Sequence, residues 1–317
     1  MSTPAKRPFW MATGWRLIGV GLLLVVLWRV GAADLAAALW NVDPLPVVLA
    51  ALLATAVLLL RSLRWRLLCA GLGIPLPIGE AVRLYLLATF VAAITPGRVG
   101  DLVKAYYIRD RRAEAGLAAG IASVVYDRFL DLGQVCALAL GAVVILPGVP
   151  PWAGPALVAL GLAGFVAGTV WRPTREGLLA RPLNWALRRL PGADGVSPPA
   201  PPAAHVLLAQ VLTAASVAGF AGASVLLARG LSIDASAWSL AVLSALGALV
   251  GLMPITVLGI GTRDALYVAA APFLGASSEA MLALSLLLLA MYVLNSVTGW
   301  AAWFLSPPRD RQPPAAR

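Results

Sequence analysis

Apolar residues gather along this chain in long blocks, not in the alternating or half-polar patterns of soluble elements. Gly14 to Val30 is the first block, preceded by Lys6, Arg7 and Arg16 and followed by Asp34 and Asp43. Val47 to Leu60 is the second, opened by Pro44 and Pro46 and continued by a basic, amphipathic stretch from Arg61 to Cys69. Further blocks lie within Ala115–Leu146, Ala153–Val170, His205–Ala228 and Met281–Leu305. About 18 to 20 apolar residues in helix cross a hydrocarbon core of roughly 30 Å. Leu84–Ile94 and Ala265–Leu274 are too short to cross, and Trp238–Leu252 ends at Pro254 and a glycine-rich turn. The pattern predicts an all-α polytopic bundle of about six full spans plus two re-entrant or broken-helix elements.

Arg and Lys mark cytoplasmic loops, and with the N-terminus inside they give a consistent topology. The clusters Arg61/Arg64/Arg66 and Lys104/Arg109/Arg111/Arg112 both belong inside, so the segment between them enters and returns on one face. The same reasoning makes Trp238–Leu274 enter and leave from the outside. Of the 24 Lys and Arg, only Arg29 and Arg229 then fall on outside segments. Both termini are cytoplasmic, as expected in a plasma or inner membrane. The expected divisions are an N-terminal segment 1–13, a membrane domain 14–305 with a basic, proline-rich loop at 171–204, and a disordered tail 306–317.

The net charge is +10, but the basic residues sit beside apolar spans, so membrane topology and anionic lipid headgroups explain it better than nucleic acid. Hydrophobic residues make up 61% of the chain and charged ones 12%, well below the roughly 25% of soluble domains. Cys69, Cys136 and His205 have no metal-ligand spacing, and the cysteines are expected to be inert packing residues. No metal, cofactor or catalytic residue is expected.

The two re-entrant elements carry similar motifs of opposite predicted entry. TPGRVGDLVK (Thr95 to Lys104) contains Pro96, Gly97, Arg98, Gly100, Asp101 and Lys104; MPITVLGIGTRD (Met253 to Asp264) contains Pro254, Gly259, Gly261, Arg263 and Asp264. Interrupted helices in the two halves of a chain point to a binding site in inverted-repeat carriers. Freed N–H groups there can hold a phosphate or carboxylate. Arg98 and Arg263 add bidentate donors, with Asp101 and Asp264 positioning them or meeting a cationic headgroup. Ordinary loops anchored to the interface by Arg–Asp pairs are the plainer alternative.

Asp127, Arg128 and Asp131 lie in an otherwise apolar span, where charge is costly unless paired. Asp127 and Asp131 share one helix face; Arg98, Lys104 and Arg263 are candidate partners. Either a structural ion-pair network or the polar wall of a substrate cavity fits. Arg61, Arg64 and Trp65 read as an interfacial anchor. Asn295 and Thr298 read as helix–helix hydrogen bonds.

On these residues the chain resembles the lysylphosphatidylglycerol synthase transmembrane region family, also called flippase-like or UPF0104. The resemblance rests on RxxRW (Arg61, Arg64, Trp65), PGRxGD–K (Pro96, Gly97, Arg98, Gly100, Asp101, Lys104), DRxxD (Asp127, Arg128, Asp131) and P…GIGxRD (Pro254, Gly259, Gly261, Arg263, Asp264), spread over residues 14 to 305. It implies a flippase-like domain; in bifunctional relatives this domain moves an aminoacylated phospholipid between leaflets after a cytosolic domain makes it. No synthase domain is expected here. The chain departs from the family at Asp101 and Asp264, where Glu is common, and at Leu258, where glycine is common.

The expected function is a lipid flippase or lipid-handling carrier, with membrane lipids, anionic or aminoacylated, as partners and the oligomeric state open. Arg98, Asp101, Lys104, Asp127, Arg128, Asp131, Arg263 and Asp264 are the expected headgroup residues, on turns made by Pro96, Gly97, Gly100, Pro254, Gly259 and Gly261. A membrane transferase acting on lipid or polyprenyl-linked substrates, and a non-catalytic partner of a lipid-modifying enzyme, are the alternatives.

Overall fold

A computed structural model describes residues 9–95, 100–108, 116–145, 148–171, 200–253, 256 and 258–305. Pro96, Gly97, Arg98 and Pro254 lie outside the described residues, as do most of the 171–204 loop and the 306–317 tail. Among the described residues the chain is all-α, with eleven α-helices: α1 Phe9–Val30, α2 Ala32–Trp40, α3 Pro44–Gly71, α4 Ile78–Ile94, α5 Val103–Ile108, α6 Gly116–Ala139, α7 Ala153–Trp171, α8 Ala203–Gly230, α9 Ala237–Leu252, α10 Thr262–Ala270 and α11 Ser278–Leu305. Short 3₁₀ turns extend α6 (Leu140–Ile145) and α10 (Ala271–Leu274).

Five helical segments are long and apolar enough to cross a membrane: Pro44–Gly71, Gly116–Ile145, Ala153–Val170, Ala203–Gly230 and Ser278–Ala301. A sixth candidate joins Gly19–Val30 to Ala32–Trp40 through an 83° bend. The first span therefore does not end in a plain loop. Gly31 turns the chain, and the Asp34 segment forms the amphipathic α2, which buries Leu35. α3 starts where Asp43 Oδ1 accepts from the Leu45 N–H, with prolines in the first turn. It runs unbroken for 28 residues, about 42 Å at 1.5 Å per residue, so the stretch from Arg61 to Cys69 belongs to the same helix. Leu24, Leu52, Leu160, Val211 and Leu294 are exposed on outer faces, as lipid-facing side chains should be.

The helices form two copies of one unit, α3–α4–α5–α6 and α8–α9–α10–α11. Both long leading helices have 28 residues and end in the same turn. Gly73 (φ 75°) and Ser232 (φ 56°) take the left-handed conformation, and Ile74 and Ile233 donate back to Cys69 and Ala228 at 2.8 and 2.9 Å. α4 is then followed by a break in which Gly100 folds onto its last turns; a Cβ there would sit 2.5 Å from the Val91 carbonyl carbon. α9 is followed by a break in which Gly259 folds onto Gly251, with a Cβ 2.9 Å from its Cα. The units are inverted. The Asp43 N–H donates to the Gly230 carbonyl at 2.9 Å, while Gly71 closes on Pro201 and His205 at the other end. α3 and α8 are thus antiparallel. α4 packs against α11 as α9 packs against α6, so each contact has its counterpart, as an internal two-fold requires.

Two smaller expectations change. Cys69 is buried but Cys136 is exposed, because it lies on the outer side of α6. Asn295 of α11 does accept across from Thr55 of α3, at 3.5 Å, but Thr298 bonds its own helix backbone at 2.8 Å and ties no second helix among the described residues.

Candidate functional site

Equivalent positions of the two units carry opposite chemistry. Trp65, Tyr85 and Lys104 of the first correspond to Ser224, Ser244 and Tyr267 of the second, each counted from the shared turn glycine or the shared acid. In the first unit Lys104 Nζ lies 5.1 Å from the Trp65 ring centre and 4.3 Å from that of Tyr85. Trp65 Nε1 donates to Ser123 Oγ at 3.1 Å. In the second, Tyr267 fills the space between the two serines, fully buried. A cation between aromatics becomes an aromatic between hydroxyls.

Around Lys104 runs a chain of buried ion pairs. Asp127 Oδ2 accepts from Lys104 Nζ at 3.0 Å, and Asp127 Oδ1 accepts from Arg64 Nε and Nη2 at 3.0 and 2.6 Å. Arg64 Nη1 continues to Asp131 Oδ1 at 2.5 Å and Thr213 Oγ1 at 3.1 Å. Arg128 meets Asp131 Oδ2 at 3.5 Å and grips Asp101 with Nε at 2.8 Å and Nη2 at 3.1 Å. Arg64, Lys104 and Asp127 have no exposed side-chain surface, whereas Arg128 keeps 27% and Asp131 13%. The network is dry at one end and open at the other.

This corrects the interfacial reading of Arg64 and Trp65. Both are fully buried. They lie on the stripe of α3 that holds Leu58, Ser62, Leu68 and Cys69 against the bundle. A guanidinium in that position persists because two carboxylates face it. Arg61, one turn earlier, also points inward and lines a cavity.

The second unit is simpler. The Asp264 Oδ2 accepts from the Gly261 N–H at 2.8 Å and caps α10. The Ser285 hydroxyl donates to Asp264 Oδ1 at 2.6 Å and accepts from Arg263 Nε at 2.9 Å, while Arg263 Nη2 donates to the Ser285 carbonyl at 3.0 Å. Arg263 thus stays with its neighbour Asp264 (3.6 Å) and bonds none of the Asp127–Asp131 network. Ser285→Ala should lower stability by about 1–3 kcal/mol, because it strips a bond from the buried Asp264 and from the partly exposed Arg263. The thermal unfolding midpoint in detergent measures it, and an unchanged midpoint contradicts the pairing. Leu258, where the resemblance expects glycine, adopts φ 58°; a left-handed residue with a Cβ costs roughly 1–2 kcal/mol, which glycine avoids.

Both units line one cavity of about 200 Å³. Arg61, Arg128 and Asp131 reach it from α3 and α6, Arg263 and Tyr267 from α10, and Tyr292 from α11. Asp101, Asp127 and Asp264 stand behind this wall, paired with Arg128 or Arg263, and Lys104 stands one step further back on Asp127. A second, mostly apolar hollow of about 580 Å³ adjoins it and shares Leu138, Val217, Ala221 and Ala241. A charged chamber opening onto an apolar groove suits an amphipathic molecule.

Sequence reasoning missed Arg64, Thr213 and Ser285 as parts of the polar assembly. The cost of burying charge, applied to Asp127 and Asp131, applies equally to an arginine on an apolar helix and is the signal for Arg64. Nothing in the sequence singles out Thr213 or Ser285.

The family model described as Lysylphosphatidylglycerol synthase TM region matches residues 16–299. No curated protein matches the chain.

Proposed function

The chain belongs to the lysylphosphatidylglycerol synthase TM region family, and from that premise we propose that it is a carrier moving a phospholipid between leaflets of the cell membrane. One observation carries the reading: the charged chamber lies where the two inverted units meet and continues into the apolar groove through shared walls. The headgroup would sit among Arg61, Arg128, Asp131 and Arg263, with acyl chains in the groove or in lipid. A site built between inverted units can open alternately to either side as one unit rocks on the other. Arg–Asp pairs line the path, so a charged headgroup crosses without meeting bare hydrocarbon. The basic segments beside the spans favour cytoplasmic termini. Lysine and arginine along the spans serve this placement, and no nucleic acid partner is invoked.

Proteoliposomes carrying a fluorescent phospholipid test the reading, with dithionite quenching reporting which leaflet the lipid occupies. The protein should accelerate exchange between leaflets. Ala248 lines the chamber, and Cys69 is buried. In a Cys136→Ser background, Ala248→Cys labelled with a bulky methanethiosulfonate should slow exchange about tenfold or more, equal to roughly 1.4 kcal/mol on the barrier. No acceleration for any headgroup, together with turnover of a lipid-linked donor, would replace the carrier with a membrane transferase.

A further inference from the structure

Four charged side chains among the described residues line the chamber, and three of them are already neutralised. Arg128 is held by Asp101 and Asp131, Asp131 lies between Arg64 and Arg128, and Arg263 is held by Asp264 and Ser285. Arg61 differs. Among the described residues it makes no ion pair, and its Nε, like that of Arg128, is buried without a hydrogen-bond partner. It lies close enough to Asp131 to interact electrostatically but not to bond it. With Arg64 and Lys104 behind the wall, five cations share four carboxylates: Arg61, Arg64, Lys104, Arg128 and Arg263 against Asp101, Asp127, Asp131 and Asp264. Counted over the described residues, the chamber carries one positive charge too many.

We infer that Arg61 is the contact for the lipid phosphate, and that the chamber selects a phosphodiester lipid of net charge −1 over a cationic, aminoacylated one. This rests on the carrier reading and narrows its substrate. A guanidinium offers a planar fork of donors that matches two phosphate oxygens. A buried donor without an acceptor is costly, and a phosphate oxygen supplies the acceptor that Arg61 finds in no described side chain. An ammonium group finds no equivalent. Every carboxylate at the wall or behind it already faces at least one cation, and an added positive charge meets the surplus. The apolar groove beside the chamber favours a lipid over a free phosphate.

Because Arg61 makes no bond among the described residues, replacing it leaves no partner stranded there. Arg61→Gln should therefore keep or raise the unfolding midpoint of the lipid-free protein while weakening binding. That opposition separates a ligand contact from a structural residue. The test is native mass spectrometry of the full chain in detergent, titrated with phosphatidylglycerol, its lysine ester, phosphatidylcholine and glycerol phosphate. Wild-type protein should bind phosphatidylglycerol about tenfold or more tighter than the lysine ester or phosphatidylcholine, because all three offer the phosphate but the last two also bring a cation against the surplus charge. Glycerol phosphate should not compete. Arg61→Gln should remove that preference, and Arg61→Lys should retain most of it.

Unchanged affinity and preference in Arg61→Gln would overturn the assignment, as would tighter binding of the lysine ester by wild type. Competition by glycerol phosphate at the affinity of the lipid would overturn the lipid phosphate in favour of a free anion. A lowered midpoint in both variants would make Arg61 structural and also overturn it. The carrier reading fails separately: if the titration gives the expected pattern but vesicles show no exchange, the chamber binds lipid without moving it.

Discussion

Asp127→Asn should lower the stability of the protein by about 3–5 kcal/mol, the cost of breaking a fully buried ion pair from one side. Asp127 is completely enclosed and gives one oxygen to Arg64 and the other to Lys104. An amide of the same shape can still accept from one of them, but its NH₂ then points at the other, donor to donor. Water has no exposed side-chain surface of Arg64 or Lys104 to reach, so the stranded charge is not relieved. The thermal unfolding midpoint and the soluble fraction in mild detergent measure the loss. Adding Lys104→Met should recover part of it, because the second change removes the cation that the amide can no longer hold; a double-mutant cycle isolates that coupling. Asp131→Asn should cost less, since Asp131 retains some exposure at the chamber. Equal costs for the two would mean that the dry end of the network matters no more than its open end.

The bundle, its spans and the paired breaks are legible in the sequence because each follows from a physical cost: charge in hydrocarbon, the length needed to cross it, and proline or glycine in a helix. Asp127 and Asp131 stand out for the same reason. Arg64 does not, because it ends an apolar span beside Arg61, Trp65 and Arg66, a composition shared with interfacial anchors. Only the phase of α3 separates the two cases, and that phase follows from the buried stripe of Leu58, Ser62, Trp65 and Leu68. The internal two-fold is faint in sequence because few residue types are preserved across it. Trp65, Tyr85 and Lys104 stand where the second unit has Ser224, Ser244 and Tyr267, so neither size nor chemistry is kept at these positions. What survives is the turn, Gly71-Leu72-Gly73-Ile74 against Gly230-Leu231-Ser232-Ile233, where backbone geometry restricts the choice. The 83° elbow at Gly31 leaves no mark in hydropathy, since the segments on both sides are apolar.

Gly261→Ala is expected to detach α1 from the second re-entrant element. Gly261 has φ 83° and ψ −54°, a region closed to residues with a Cβ. An added methyl would also run into the Gly19 carbonyl oxygen of α1, with Leu22 Cβ of the same helix at 3.1 Å. Relaxing one conflict worsens the other. Turning the backbone toward negative φ moves the N–H that donates to Asp264 and so uncaps α10, and keeping the cap forces α1 away. Backbone strain of about 1–3 kcal/mol and overpacking of about 1–3 kcal/mol both apply. The damage should be local, because the atoms nearest to an added Cβ at Gly261 all belong to α1 and none to α3 or α8. Hydrogen exchange followed by mass spectrometry should therefore show α1 and α10 losing protection while α3 and α8 keep theirs. Exchange between leaflets should fall with it, since Arg263, two residues on, loses its fixed position on the chamber wall. Wild-type protection across α1 would mean that the close approach of Gly19 and Gly261 is not what holds the N-terminal helix to the bundle.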